Sequence, residues 1–201
     1  MSDRDLSDEL LDAVSGARLD GVAVGIAGTG SKAFLSAVPQ ADSRDRLLST
    51  VEHCGIVDYR PDELVVTVRS GTPIRDLQQM LRRQGQTLTF EPPEFRGLGT
   101  IGGAVATGLA GPGRPWWGGA RDAVLGVVMI NGLGQRLVFG GQVMKNVAGF
   151  DVSRLQAGAF GSLGLLLELS LRVMPIPASE QTRVLTLERT AALALMRKWA
   201  R

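Results

Sequence analysis

The chain has 201 residues, a mass of 21.4 kDa and a formal charge of +2, and this composition excludes several classes of protein. With 44% hydrophobic and 21% charged residues it is neither disordered nor fibrous, and its length allows one domain or two small ones. The small, dispersed charge argues against a nucleic-acid partner. One cysteine and one histidine cannot build a disulfide, a zinc site or an iron–sulfur cluster, so redox chemistry would require an organic cofactor.

The sequence gives no sign of a targeting or membrane segment. The first twenty residues are acidic and polar, and no run of roughly 18 uncharged apolar residues follows. We therefore expect a cytoplasmic chain without direct membrane insertion.

The first half of the chain mixes helix and strand patterns. Apolar residues recur at helical spacing among acidic ones over residues 3–16, which predicts an amphipathic helix. Short apolar runs predict strands at residues 22–26, 55–59 and 64–68. The clearest helix begins after Thr72, a hydroxyl N-cap before a proline, and ends before Gly85.

The second half contains a long glycine- and proline-rich segment, residues 90–122, and segments of this kind often line a site. Two apolar runs then flank residues 131–134, whose Asn-Gly signal predicts a β-hairpin. A strand closed by Pro175 and a helical run complete the pattern. Hairpins mixed with helices favour an α+β fold over a purely parallel doubly wound sheet.

GIAGTGSK, residues 25–32, follows an apolar run and could present backbone amides to a phosphate. A P-loop would place lysine directly after the second glycine, whereas here the order is Ser31-Lys32. The dinucleotide fingerprint G-x-G-x-x-G is absent as well. The stretch therefore indicates either an anion-binding turn or a turn without a ligand.

Two further stretches resemble the first. TIGGAVATG, residues 100–108, predicts a turn opening onto a short helix whose free amides would attract an anion. Gly158, Gly161 and Gly164 recur three residues apart before a strand, which would let the backbone lie flat against a planar group. Each stretch alone is explained by a tight turn, but three of them in one small chain favour a dinucleotide cofactor.

The residues that carry these patterns also carry a resemblance to a known family. It covers the chain from about residue 20 to Pro177. The sequence resembles the FAD-binding domain of the vanillyl-alcohol oxidase and p-cresol methylhydroxylase flavoproteins, and within that family the FAD-binding subunits of bacterial glycolate oxidases. The similar segments are GIAGTGSKAFL, VVTVRSGTPIRDLQQMLRRQGQTLTFEPP, TIGGAVATGLAGPGRPWWGGARDAVLGV and KNVAGFDVSRLQAGAFGSLG.

The resemblance implies a PCMH-type FAD-binding fold of two packed α+β subdomains with FAD between them. It further implies three groups of cofactor-binding residues. The first pyrophosphate loop would comprise Ala27, Gly28, Thr29, Gly30 and Ser31. The second would comprise Thr100, Ile101, Gly102 and Gly103, with Thr107 and Gly111 nearby. The flavin or ribityl side would be lined by Gly158, Gly161, Gly164 and Leu165.

We expect residues 1–177 to form this domain and residues 178–201 to begin a cap domain that is truncated or missing. Some relatives attach FAD covalently through histidine or cysteine. His53 and Cys54 lie outside the predicted loops, so we expect noncovalent binding.

The implied activity is FAD-dependent oxidation of a CH–OH group in a small 2-hydroxy acid such as glycolate. The implied partners are flavoprotein and iron–sulfur subunits, through which any membrane contact would be made.

Arg114 and Arg121 are candidates for a carboxylate clamp or simple surface charges, and no catalytic residue is assigned. Trp116 and Trp117 would cover the flavin, meet a partner or pack within the loop. A non-catalytic flavin-binding assembly module and, more remotely, a P-loop-like NTPase are the alternatives.

Overall fold

A computed structural model describes residues 3–35, 46–142 and 149–199 of the chain. Within these ranges the α-helices are α1, Ser7–Leu19; α2, Ile74–Arg83; α3, Ile101–Thr107; α4, Arg114–Trp117; α5, Ala120–Ala123; α6, Val152–Leu155; and α7, Arg189–Trp199. The strands are β1, Val24–Ala27; β2, Arg46–Ser49; β3, Ile56–Arg60; β4, Val65–Arg69; β5, Gln86–Leu88; β6, Val124–Ile130; β7, Arg136–Gly140; and β8, Leu165–Pro175.

Two sheets organise the described residues. The larger sheet is antiparallel with the order β3-β4-β8-β6-β7, and β5 pairs with the C-terminal end of β8. The smaller sheet consists of β1 and β2 in parallel. Helices α2 and α3 pack on the larger sheet, whereas α1 packs with the smaller one, which gives two α+β units. The predicted α+β fold is confirmed.

Strand β8 contributes to the cores of both units because its register changes. Its pairing with β6 shifts between Val128 and Met129, which leaves one extra residue in β8. Since side chains alternate along a strand, one inserted residue moves the following side chains to the opposite face. Leu165 and Leu167 accordingly lie in the smaller core with Ile130, and Leu169 and Leu171 lie in the larger one.

The helix α2 forms where its sequence predicts it, but its cap is different. Ile74, Leu77 and Leu81 form one fully buried face. Pro73, rather than Thr72, occupies the N-cap position, and the predicted hydroxyl cap is wrong. The Thr72 hydroxyl instead donates to the Gly55 carbonyl at 3.1 Å, because β3 lies beside this turn.

The predicted hairpin is confirmed by the turn between β6 and β7. The side-chain oxygen of Asn131 accepts hydrogen bonds from the amides of Leu133 and Gln135 at 2.9 and 3.0 Å. These bonds hold the turn closed, as the Asn-Gly signal predicts.

Helix α7 has no buried residue, in contrast to α2 and α3. Leu193, Met196 and Trp199 are about half exposed or more. Among the described helices, none is long and apolar enough to cross a bilayer.

Candidate functional site

The first glycine turn, residues 27–31, follows β1 and leaves several backbone amides open. Within the part of the chain that the structure describes, no acceptor takes the amides of residues 28–31. Gly30 has φ of +70°, and apart from its chain neighbours no atom of the described residues lies within 4 Å of the position that a Cβ would occupy. Donors that no side chain screens are suited to an anion such as a phosphate.

The second glycine turn, residues 100–103, lies against the first but uses its amides internally. The Ile101 amide donates to the Thr72 carbonyl at 2.9 Å and the Gly102 amide to the Ser70 carbonyl at 2.7 Å. The Gly103 amide donates to the Thr100 hydroxyl at 3.2 Å. The expectation of free amides at the start of α3 is therefore wrong, because the end of β4 and the N-cap residue supply acceptors.

Gly102 has a packing role in this turn. An added Cβ would lie 2.6 Å from the Ser70 Cβ and 2.8 Å from the Ser70 carbonyl oxygen. Contacts this short with backbone cannot be relieved by rotating a side chain. Glycine at this position lets α3 approach the end of β4.

The third glycine turn, residues 158–164, is joined to the C-terminal end of α3. The Gly158 amide donates to the Val105 carbonyl at 3.1 Å, and the Phe160 amide donates to the Ala106 carbonyl at 2.8 Å. The Phe160 bond gives an acceptor at the end of the short helix its partner, and the Gly158 amide shares the Val105 carbonyl with the Gly108 amide, which lies 3.0 Å from it. Gly161 faces Ile26 of β1, whose Cδ1 lies 3.6 Å from the position of an added Cβ.

Hydrogen bonds and close contacts link the three turns to one another. The Thr29 hydroxyl donates to the Leu98 carbonyl, which connects the first turn to the segment before the second. Gly28 also faces Thr100, whose hydroxyl oxygen lies 2.9 Å from the position of an added Cβ. The bonds from α3 join the second turn to the third. The contact between Gly161 and Ile26 of β1 joins the third turn to the first, so each turn is connected to the other two.

The remaining predicted site residues occupy different environments. Thr107 donates its hydroxyl to the Gly103 carbonyl at 2.8 Å, within α3. Gly111 donates its amide to the Glu91 carbonyl at 2.8 Å. Gly164 adjoins Ile130, and the Leu165 side chain is buried in the smaller core, so Leu165 could reach a ligand only through its backbone.

Lys32, which follows the first glycine turn, was not among the predicted site residues. It is 9% exposed, and its ammonium lies 6.0 Å from the centroid of the Phe95 ring. Burial lowers the pKa of Lys32, while the carboxylate of Glu94 acts in the opposite direction. Its proximity to the glycine turn was visible in the sequence, but its burial and its position near Phe95 appear only in the folded chain.

Other candidates take structural or exposed positions. His53 is fully buried: its Nδ1 accepts from the Leu6 amide at 3.0 Å, and its Nε2 donates to the Leu167 carbonyl at 3.1 Å. Burial lowers the pKa of His53, which favours this neutral state. Arg114 and Arg121 are exposed. Trp117 packs near Gly113, whereas Trp116 is 63% exposed.

Comparison with known proteins places this arrangement in a family. Residues 6–140 match the model of the FAD-binding domain family. The chain belongs to this family. Membership in the FAD-binding domain family identifies FAD as the cofactor and agrees with the expected PCMH-type fold. It also favours the flavin interpretation of GIAGTGSK over the P-loop alternative.

The FAD-binding domain is similar to parts of longer proteins. Glycolate oxidase subunit GlcE of Escherichia coli is 44% identical over 97% of this chain and 55% of its own length. D-lactate dehydrogenase of Anaerostipes hadrus is 32% identical over 66% of this chain and 28% of its own length. The chain therefore spans about half or less of these curated relatives.

The fold is also found among solved structures. Alkyldihydroxyacetonephosphate synthase matches with a TM-score of 0.72 and 21% identity, covering 86% of this chain and 31% of the other. At this identity the similarity shows the fold alone. It supports the two α+β units of the FAD-binding domain.

Proposed function

We propose that this chain is the FAD-binding part of a 2-hydroxy-acid oxidase or dehydrogenase of the glycolate oxidase type. The observation that carries the proposal is the convergence of three glycine turns, the first with open amides. A diphosphate requires several donors in a small space, and the turn at residues 28–31 has them. Within the described part of the chain, the space beside Gly30 leaves room for such a ligand.

The proposed substrate class follows from what the similar proteins share. Their names refer to glycolate, D-lactate and D-2-hydroxyglutarate. All three compounds carry a hydroxyl on the carbon next to a carboxylate. A relative that spans nearly all of this chain at 44% identity is a glycolate oxidase subunit, which makes glycolate the first substrate to test.

FAD would be held without a covalent bond by the predicted residues. The first glycine turn, from Ala27 to Ser31, would hold the diphosphate, with the amides of residues 28–31 as the donors. The second turn, Thr100 to Gly103, would contact the diphosphate from beside it. It would donate fewer hydrogen bonds, because the amides of residues 101–103 already have protein acceptors. The third turn, including Gly158 and Gly161, would border the flavin or ribityl side. His53 is excluded as an attachment point by its burial and its two hydrogen bonds.

When bound, FAD supplies the acceptor for the hydride that leaves the hydroxyl-bearing carbon. The described residues contribute binding and orientation to this reaction. Arg114 and Arg121 are exposed, and His53 is committed to the core, so neither the carboxylate clamp nor the base is assigned to them.

We further propose that the FAD domain covers residues 1–177 and that residues 178–201 lead into a cap domain. Helix α7, without a buried residue, is consistent with a segment that packs on something other than the two cores. The partners would be flavoprotein and iron–sulfur subunits in the cytoplasm, with any membrane contact made through them. The similarity to two glycolate oxidase subunits, GlcE of Escherichia coli and GlcD of Bacillus subtilis, supports an assembly of several subunits. The single cysteine among these 201 residues is too few to hold an iron–sulfur cluster by itself.

Purified chain should bind FAD, give the visible absorbance of a flavoprotein and release the intact cofactor on denaturation. Folded protein that remains colourless with excess FAD would contradict the proposal. Co-purification with candidate partner subunits would test the proposed assembly.

The exposed arginines and the buried histidine favour one alternative, a flavin-binding assembly module without turnover. Anaerobic addition of glycolate distinguishes the two. Bleaching of the bound flavin in the isolated chain supports an oxidase, whereas bleaching only in the assembled complex supports the module.

A further inference from the structure

We propose that Lys32 is a binding residue for the FAD diphosphate, supplying the positive charge that the amides of the first glycine turn lack. The inference rests on the proposed function, because it concerns the same cofactor. It adds an electrostatic contact to a site otherwise made of backbone donors.

The position of Lys32 in the chain is the first argument. It follows Ser31, the last residue of the first glycine turn. Its backbone is therefore adjacent to the amides that would bind the diphosphate, and its side chain is long enough to reach the same group. The phosphates carry negative charge, and backbone amides offer only partial positive charge.

The environment of the ammonium is the second argument. Lys32 is 9% exposed, but it forms no ion pair or hydrogen bond with any residue that the structure describes. The ammonium lies 6.0 Å from the centroid of the Phe95 ring, and Phe95 packs edge-on against Phe34 with 5.1 Å between ring centroids. A buried cation that makes no ion pair with the described residues is costly, and an anionic ligand at the neighbouring turn would lower that cost.

The connection between this aromatic pair and the turn is the third argument. Phe95 lies three residues before Leu98, whose carbonyl accepts from the Thr29 hydroxyl. The segment that shields the ammonium is therefore also bonded to the amide-bearing turn. Glu94 on the same segment attracts Lys32 without forming an ion pair within the described structure. This arrangement keeps a cation beside the turn without neutralising it.

The test compares Lys32→Met, Lys32→Arg and the wild-type chain in two measurements. The first is FAD affinity by fluorescence titration at several salt concentrations, and the second is the melting temperature without FAD. Lys198→Met is the matched control, because it removes one positive charge from an exposed position on α7.

We expect Lys32→Met to weaken FAD binding roughly 10- to 100-fold and to flatten its salt dependence, since one charge-assisted contact is lost. Without FAD, the same variant should melt at the same temperature or roughly 2 to 4 °C higher, because a buried charge that makes no ion pair with the described residues has been removed. Lys32→Arg should recover much of the affinity, and Lys198→Met should behave as wild type.

Two results would overturn the inference. One is unchanged affinity and salt dependence in Lys32→Met. The other is a lower melting temperature without FAD in both Lys32 variants together with no recovery of affinity by arginine, which would make Lys32 a packing residue. If the wild-type chain itself binds no FAD, the proposed function fails; if it binds FAD normally and Lys32→Met does too, only this inference fails.

Discussion

The first glycine turn leaves the amides of residues 28–31 without acceptors in the described structure, whereas the second directs the amides of residues 101–103 to the Thr72 carbonyl, the Ser70 carbonyl and the Thr100 hydroxyl. The two turns lie side by side and are both glycine-rich. In the first, glycine allows a positive φ and open space at Gly30; in the second, it allows close packing at Gly102. Glycine is therefore proposed to serve ligand binding in the first turn, and it serves packing of the fold in the second.

The largest expected effect is that of Gly102→Ala on folding. The added Cβ would lie 2.6 Å from the Ser70 Cβ and 2.8 Å from its carbonyl oxygen, so α3 must move away from β4. We expect a loss of about 3 kcal/mol in the free energy of unfolding, measured by urea denaturation. Gly103→Ala is the control: its nearest contact would be the Thr100 hydroxyl at 3.1 Å, and the change should be below about 1 kcal/mol. Equal effects at both positions would contradict the packing role of Gly102.

Gly30→Val, in the first turn, should reduce FAD affinity more than stability, the reverse of Gly102→Ala. A β-branched residue at a φ of +70° disfavours the observed backbone, so the amides should turn away from the ligand. FAD affinity should fall by roughly 30-fold, and stability by only about 1 to 2 kcal/mol. Gly85→Val is a matched control, because Gly85 has φ of +65° and the same open space at the end of α2. It should lose similar stability but keep its FAD affinity.

Acidification should lower the free energy of unfolding through protonation of His53, a residue that is hydrogen-bonded to the segment next to the second turn. Its carbonyl accepts from the Gly71 amide at 2.9 Å, next to the Ser70 that binds Gly102. Since burial lowers the pKa of His53 in the fold, the unfolded chain binds the proton more readily below about pH 6.5. The free energy of unfolding should therefore fall as the pH decreases from 6.5, with a slope of up to about 1.4 kcal/mol per pH unit from this group.

His53 is the single histidine of the chain, so a change in stability just below pH 6.5 can be attributed to this side chain. The Ser7 hydroxyl lowers the pKa of Asp5 to about 2, so stability from Asp5 is present above 3.8 and is lost as the pH falls towards 2. Urea denaturation between pH 7 and 5 measures the histidine contribution separately. A flat stability profile over that range would contradict the neutral, buried state of His53.

The smallest effects should come from two isosteric changes, Thr29→Val and Thr100→Val. Thr29→Val removes the hydroxyl that bonds the Leu98 carbonyl and should reduce FAD affinity by roughly fivefold, with little loss of stability. Thr100→Val removes the N-cap of α3 and should cost about 1 kcal/mol of stability. Titration and urea denaturation of both variants check the contrast. A larger stability loss from Thr29→Val than from Thr100→Val would reverse it.

Local patterns predicted much of the fold. The apolar spacing of Ile74, Leu77 and Leu81 was sufficient for α2, and the Asn131-Gly132 pair was sufficient for the hairpin. The cap of α2 was predicted wrongly because a neighbouring strand provides a partner for the Thr72 hydroxyl. A residue with several possible hydrogen bonds takes the one that the surrounding structure brings within reach.

For the candidate site, the positions of the glycine turns could be predicted without the structure, since glycine content and flanking apolar runs are local properties. Which turn has open amides was decided by the tertiary structure, because the acceptors for Ile101 and Gly102 lie about thirty residues earlier in the chain. The position of the Lys32 ammonium near the Phe95 ring depends on the folded chain in the same way, because the two residues are far apart in sequence. Hydrogen bonding and burial depend on neighbours in space, and only the folded chain places those neighbours.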